Sequence, residues 1–383
     1  MNLKVTSIKL KRLVFPLLVL VIIIGVYLVY QRTEQSTQEI SNKNIANKSN
    51  ESPKSSDSVL NNSKEQKDYI LRCDGDLEDI YSSDIIAKYS DFDFKEAFKN
   101  NPSFETQLAF ALIANNYSQT DKESEQEPIN QSVEILERLL ATGKDQNLLH
   151  YYLVTMCGTK EDKSNCKNRV IDNAIQNDPN NGALWFQVAL LEAADKNTTK
   201  TSEALRQLIA APNYDEYYAD SIEVFDNALI EIGVSQESFR LIRAIGHSAA
   251  LTIPPLQSLT KFCRENAKSR ADISQLCLDA GRTIASKSQQ TLYRSVGYFL
   301  NEIIFEELGD NQNKNIYTLL RNDIQRNSYA NSEATTLMMF DIELQRYWFS
   351  QLKLFGEQKS FQLLHEEAVR LSRDPDYNPC RSF

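Results

Sequence analysis

Six cysteines, three histidines and a surplus of carboxylates are the groups in this 383-residue chain whose types suit chemistry. The histidines sit in three settings, and none completes a motif. His365-Glu366-Glu367 opens like a zinc-binding H-E-x-x-H, but Val369 stands where the second imidazole belongs. His247-Ser248 sets a base beside a hydroxyl without the G-x-S-x-G turn that would expose a nucleophile. His150 precedes Tyr151-Tyr152 and reads as a packed helix residue. Asp74, Asp76, Glu78 and Asp79 cluster, yet Asp79 and Ile85 occupy the positions where a calcium loop requires Gly and Glu. Neither a Walker-type nor a G-x-G-x-x-G phosphate loop is present. No catalytic, cofactor-binding or metal residue is singled out and no cofactor is implied. A pair of carboxylates could still form a glycosidase-type site, but the sequence does not pick a pair out.

The cysteines say more. Cys157 and Cys166 enclose a short polar stretch, CGTKEDKSNC, and Cys263 and Cys277 enclose a slightly longer one. Helix-like sequence flanks both stretches, so each pair is placed to staple a helix hairpin at its turn. A loop of this size contributes roughly 2–3 kcal/mol through chain entropy. Cys73 and Cys380 remain, near the two ends of the body, where they could clasp it. The lack of C-x-x-C speaks against zinc and against thiol redox catalysis. An even cysteine count with local pairs reads as a disulfide framework in an oxidising compartment.

The N-terminal segment agrees with such a compartment. Leu13 to Tyr30 carries no charge. Eighteen residues at helical rise cover about 27 Å, close to the hydrocarbon thickness of a bilayer. The run ends in bulky residues rather than a small-residue cleavage site, which predicts an uncleaved anchor. Lys4, Lys9, Lys11 and Arg12 precede it, which places residues 1–12 in the cytoplasm and the body outside, in the periplasm if the cell is bacterial. Residues 31–67 are rich in Ser, Asn, Gln, Lys and Glu and are predicted to be a disordered tether. Its typical reach is about 30–35 Å. The first 66 residues carry a net charge of +4 and the remainder −14. An acidic body argues against nucleic acid as a partner, since phosphate recognition needs a basic face.

The elements that hold these groups are predicted to be helices. Glycine numbers only 11, about 3% against a typical level of roughly 7%. Tight hairpin turns are therefore rare, and no convincing run of alternating strands appears. Val133, Leu136, Leu139 and Leu140 share a face in a helix predicted to end at Gly143. A second helix is predicted to open at Ser288, carry Leu292, Val296, Phe299, Ile303 and Leu308, and stop at Gly309. A third opens at Ser332, runs through Leu337, Phe340, Leu344, Trp348, Leu352 and Phe355, and stops at Gly356. A hydroxyl or amide at the start and Gly past the end is the asymmetry helices prefer. The fold class is all-α, built from antiparallel helix hairpins that stack because one hairpin cannot bury its own apolar face.

One junction is more specific. In AIQNDPNNGALWFQVALLEAA, Ala174, Pro179, Trp185 and Ala189 fall at the offsets at which a tetratricopeptide repeat ends one helix and seats the next. Proline stops the first helix, the aromatic fills the groove between helices, and the small residue permits close approach. Residues 90–235 resemble that superfamily, with weaker echoes after Pro102 and Pro212. Val188 stands where the family has glycine. The resemblance implies a TPR-like α-solenoid over residues 68–235, continued by a helical region over 236–383. It further implies a groove for a protein or peptide partner, and a chaperone-like part in envelope assembly or translocation. Tyr214, Tyr217 and Tyr218, clustered with acids in APNYDEYYAD, form a candidate contact patch or a half-buried hairpin seam. Two other readings stand beside the tethered scaffold: an envelope enzyme such as a wall-active glycosidase on a helical frame, and a structural oligomeric component.

Overall fold

The helices begin where short polar side chains can take up the first free N–H groups. Asp93 accepts from the Glu96 amide at 2.9 Å, Asn197 from the Lys200 amide at 3.2 Å, and Asp341 from the amides of Glu343 and Leu344 at 2.9 and 3.2 Å. A computed structural model of the chain describes residues 69–73, 92–113, 126–157, 163–251, 256–330 and 332–381. They belong to one compact unit, Lys67–Phe383. The anchor predicted at 13–30 and the tether at 31–67 lie outside the described residues. Among the described residues no helix is long and apolar enough to cross a membrane.

Fifteen α-helices and one short 3-10 turn make up the described residues, with no strand among them. In chain order they are α1 Phe94–Asn100, α2 Phe104–Ile113, α3 Gln126–Leu140, α4 Gln146–Cys157 and α5 Lys163–Asn177. Next come α6 Gly182–Ala194, α7 Thr198–Ala210, α8 Tyr218–Glu231, α9 Glu237–Ala249 and α10 Gln257–Asn266. The last five are α11 Ala271–Lys287, α12 Thr291–Leu308, α13 Asn311–Ala330, α14 Ser332–Phe340 and α15 Ile342–Ser372. The all-α expectation therefore holds.

Helices adjacent in sequence pack on one another: α6 with α7, α8 with α9, α11 with α12 and α12 with α13. Non-adjacent helices meet as well. α2 lies against α8, α7 against α11, and α6 against α10, so the segments before and after residue 235 share one apolar core. Helices α11 and α12 approach closely. A Cβ on Gly297 would stand 2.5 Å from both the Ala285 nitrogen and the Gly281 oxygen, so the two helix backbones touch there.

One predicted helix start and the continuity of another predicted helix differ from the structure, each for an identifiable reason. Ser288 is not the N-cap of α12. That position falls to Gln290: the Ser288 hydroxyl donates to the Glu216 carboxyl and accepts from the Gln290 amide at 3.1 Å, ahead of the helix, and the Thr291 amide is taken up by Glu357 at 2.6 Å. The helix predicted from Ser332 to Gly356 is divided at Asp341, whose carboxylate caps a new helix. Gly356, at φ 74° and ψ 178°, interrupts the helix at the predicted stop, the Glu357 amide donates to the Gln289 carbonyl at 2.8 Å, and helical geometry resumes to Ser372. Most of the predicted apolar faces are buried, but Leu292, Leu308 and Phe355 are exposed.

Candidate functional site

A single asparagine fixes the segment that carries the site. Asn181 is buried in the turn between α5 and α6, where it caps α6 by accepting from the Ala183 amide at 3.0 Å. The same oxygen accepts from the Asp215 amide at 2.9 Å. Its Nδ2 donates to the Asp215 carbonyl at 2.9 Å and to Asp178 Oδ2 at 2.8 Å. The Gly182 amide donates to the Asn213 carbonyl at 2.8 Å, and the Tyr217 hydroxyl donates to Asp178 Oδ2 at 2.6 Å. Together these bonds lock the loop between α7 and α8 onto the α5–α6 turn.

The locked loop turns Glu216 inward. Its side chain is 2% exposed and shares a short hydrogen bond with the Ser288 hydroxyl; the Gln289 amide approaches its other oxygen at 3.4 Å. Burial pushes the Glu216 carboxyl up to about 8, against the opposing pull of the Ser288 hydroxyl and backbone amides. Glu216 opens on a cavity of about 180 Å³, also lined by Tyr151, Tyr152, Tyr218, Ser248, Tyr293 and Glu357. Helices α4, α8, α9, α12 and α15 supply the other walls. No lysine or arginine lines it. Burial raises the phenols of Tyr151, Tyr152 and Tyr218, and raises Tyr293 to about 12. Charge on Glu216 adds to the effect at Tyr151 and Tyr293, and charge on Glu357 adds to it at Tyr218. The Ser248 hydroxyl is buried without a hydrogen-bond partner.

A second, more open depression lies on the other side of Tyr217. It is lined by Glu105, Lys144, Asp145, Asp220 and Glu223 among others, and encloses about 610 Å³. Lys144 pairs there with Glu105 at 2.5 Å. Among the described residues no three of His, Cys, Asp and Glu converge to hold a metal. His247 belongs to an aromatic cluster, with ring centroids 5.2 Å from Phe225 and 5.8 Å from Phe94. Desolvation lowers its pKa to about 4, assisted by the charge on Arg243. His150 meets Asn177 at 3.1 Å, and His365 lies half-buried on α15.

The predicted disulfides are found where they can be followed. Cys73 is bonded to Cys380 across 307 residues, and Cys263 to Cys277 across 14. Cys157 is buried and disulfide-bonded, while the side chain of Cys166 lies outside the described residues. Ala174 and Ala189 are fully buried and Pro179 is exposed at the α5–α6 turn. Trp185 is half-buried against the core, with its indole N–H donating to the Pro179 carbonyl at 2.8 Å; its neighbour Phe186 is the residue buried outright. Tyr214 is buried with its ring against Gly182, whereas Tyr217 and Tyr218 are half-buried. Sequence reasoning passed over Glu216, Tyr151, Tyr152, Tyr293 and Glu357 as a group, since no spacing rule joins residues from four separate segments. The one available signal was Glu216 itself, an acid between tyrosines at a helix start. No protein-family model, curated protein or solved structure matches the chain, so its site is read from geometry alone.

Proposed function

We propose that this protein is an exported helical scaffold, held to the membrane by residues 13–30 through the 31–67 tether, which binds a protein or peptide partner. The observation that carries the proposal is an apolar stripe on α13. Ile316, Leu319 and Leu320 are 45%, 63% and 40% exposed at i, i+3 and i+4, the spacing by which one helix receives another. A helix pays a solvation cost for such a stripe unless something covers it, and α13 packs mainly on α12 alone. The bound partner in this reading is an amphipathic helix. The disulfides support placement outside the cytoplasm, since none of the described cysteines is free. The Ala174, Pro179, Trp185 and Ala189 junction supports a TPR-like stacking of the first helices, with a chaperone-like role in envelope assembly or translocation.

Crosslinking and pull-down of the full-length chain from native membranes test this. A reproducible partner lost in Leu319→Glu supports the scaffold. An unchanged partner set in Leu319→Glu and Ile316→Glu, or none at all, refutes the stripe as its site. One observation favours a second reading, a wall-active glycosidase: Glu216 and Glu357 line the same cavity. At about 180 Å³ that cavity is below the roughly 300 Å³ at which ligand pockets usually begin, and the scaffold is preferred. Turnover of wall material that disappears in Glu216→Gln would reverse that preference.

A further inference from the structure

The cavity around Glu216 has a composition that selects one kind of ligand. Four tyrosines, Tyr151, Tyr152, Tyr218 and Tyr293, line it together with two carboxyls, Glu216 and Glu357. Aromatic ring faces are negative and attract cations, most strongly where water is excluded. A carboxylate taken out of water must be paired or lose its charge. Here no basic residue lines the walls. The site is thus complete on its negative side and lacks a positive group. An anion would meet carboxyls of the same sign with no basic group beside them, and a neutral apolar molecule would leave the unpartnered Ser248 hydroxyl without a bond.

We infer that this cavity is a binding site for an organic ammonium head group, with Glu216 as counter-ion and the tyrosine rings as the cage. About 180 Å³ is comparable with the roughly 150 Å³ that admits a benzene-sized molecule, so a head group fits and a long chain must stay outside. Access is from the side of Ala249 and Leu292, which are both exposed at the rim. Burial holds the Glu216 carboxyl raised, to about 8, and a bound cation favours its charged form. The ammonium can belong to a free small molecule or to a lysine side chain of a partner. The inference stands whether or not the α13 stripe binds a helix.

Isothermal titration of the full-length protein with tetramethylammonium, n-butylammonium and the neutral isostere 3,3-dimethylbutan-1-ol tests it. Saturable binding of either cation, with the alcohol at least about tenfold weaker, is expected. Preference for tetramethylammonium assigns a free quaternary ligand, and preference for n-butylammonium assigns a lysine side chain. Glu216→Gln, isosteric with the protonated acid, should weaken the cation about tenfold or more while keeping the fold. Tyr218→Phe keeps a ring face and should change affinity less than about twofold, whereas Tyr218→Leu should weaken it several-fold. Equal binding of the alcohol and the cations, binding unaffected by Glu216→Gln, or no saturation of any probe into the tens of millimolar would overturn the inference.

Discussion

Two glycines in helix interiors should respond to the same substitution with opposite signs. Alanine is better than glycine inside a helix by about 0.5–1 kcal/mol, because glycine has more backbone freedom to lose. Gly246 in α9 has nothing within 4 Å of a new Cβ. Gly246→Ala should therefore gain about 0.5–1 kcal/mol. Gly297 in α12 is different. Its Cβ would stand 2.5 Å from the Ala285 nitrogen, 2.5 Å from the Gly281 oxygen and 3.0 Å from the Ala285 Cα, all backbone atoms of α11. Carbon contacts settle near 3.5–4.0 Å, so the helices must part by about 1 Å. No rotamer change can supply that movement. Overpacking of this kind costs about 1–3 kcal/mol, and a displaced backbone belongs at the upper end. After the propensity gain, Gly297→Ala should lose about 1–2.5 kcal/mol, or roughly 2–8 °C in Tm. Thermal unfolding of the oxidised protein by circular dichroism measures both variants. If Gly297→Ala raises Tm as Gly246→Ala does, the α11–α12 backbone contact is not as close as described.

Three further outcomes follow from the same structure. The clasp between Cys73 and Cys380 closes 307 residues, worth roughly 6 kcal/mol by chain entropy against about 3 kcal/mol for the 14-residue Cys263–Cys277 loop, so Cys73→Ser with Cys380→Ser should lower the urea midpoint more than Cys263→Ser with Cys277→Ser. Asn181→Ala removes the α6 cap and strands the Asp215 amide, and should cost about 2–4 kcal/mol in the same assay, with Asn181→Asp recovering part of it. Glu216, with an ordinary pKa of 4.5 and a folded value of about 8, binds a proton more tightly when folded; its contribution is full below pH 4.5 and is lost as pH rises towards 8, at up to about 1.4 kcal/mol per pH unit. Wild type minus Glu216→Gln stability, measured from pH 4 to 9, should fall across that window, and a flat difference would contradict the burial argument.

The class of fold was legible because it rests on local signals. Scarce glycine, recurring apolar faces and Gly at 143 and 309 are enough to place helices, and both glycines take the left-handed conformation expected past a helix end. Disulfide pairing was legible for Cys263 and Cys277 because a short loop leaves little choice of partner. Capping failed at Ser288 for a reason no local pattern contains. The Ser288 hydroxyl donates to a carboxyl 72 residues earlier and accepts from the Gln290 amide, while Glu357, 66 residues after Thr291, takes the first amide of the helix. The cavity was illegible for the same reason. Tyr151 and Tyr293 are ordinary core residues by pattern, and only the packing of α4, α12 and the α7–α8 loop brings them to one space.

The polar residues that fold this protein and the residues that form its cavity are one chain of contacts. Asn181 holds the Asp215 backbone, and the residue after Asp215 is the one turned into the cavity. Tyr217 follows in the left-handed region at φ 56°, which is uncommon for a bulky residue, and its hydroxyl is bonded to Asp178. Glu216 thus sits between residues whose backbone and hydroxyl are latched to the α5–α6 turn, and its own carboxyl is bonded to Ser288. A carboxyl left free to move would solvate itself and keep its ordinary pKa. Holding it inside favours its neutral form unless a cation stands beside it, which is the role the proposed ammonium group fills. Loosening the latch should therefore cost binding as well as stability: in Asn181→Ala the loop can relax, Glu216 can reach solvent, and tetramethylammonium affinity should fall together with the fitted pKa of that carboxyl. If affinity survives while the pKa returns to the ordinary range, the cage alone selects the ligand and Glu216 is not its counter-ion.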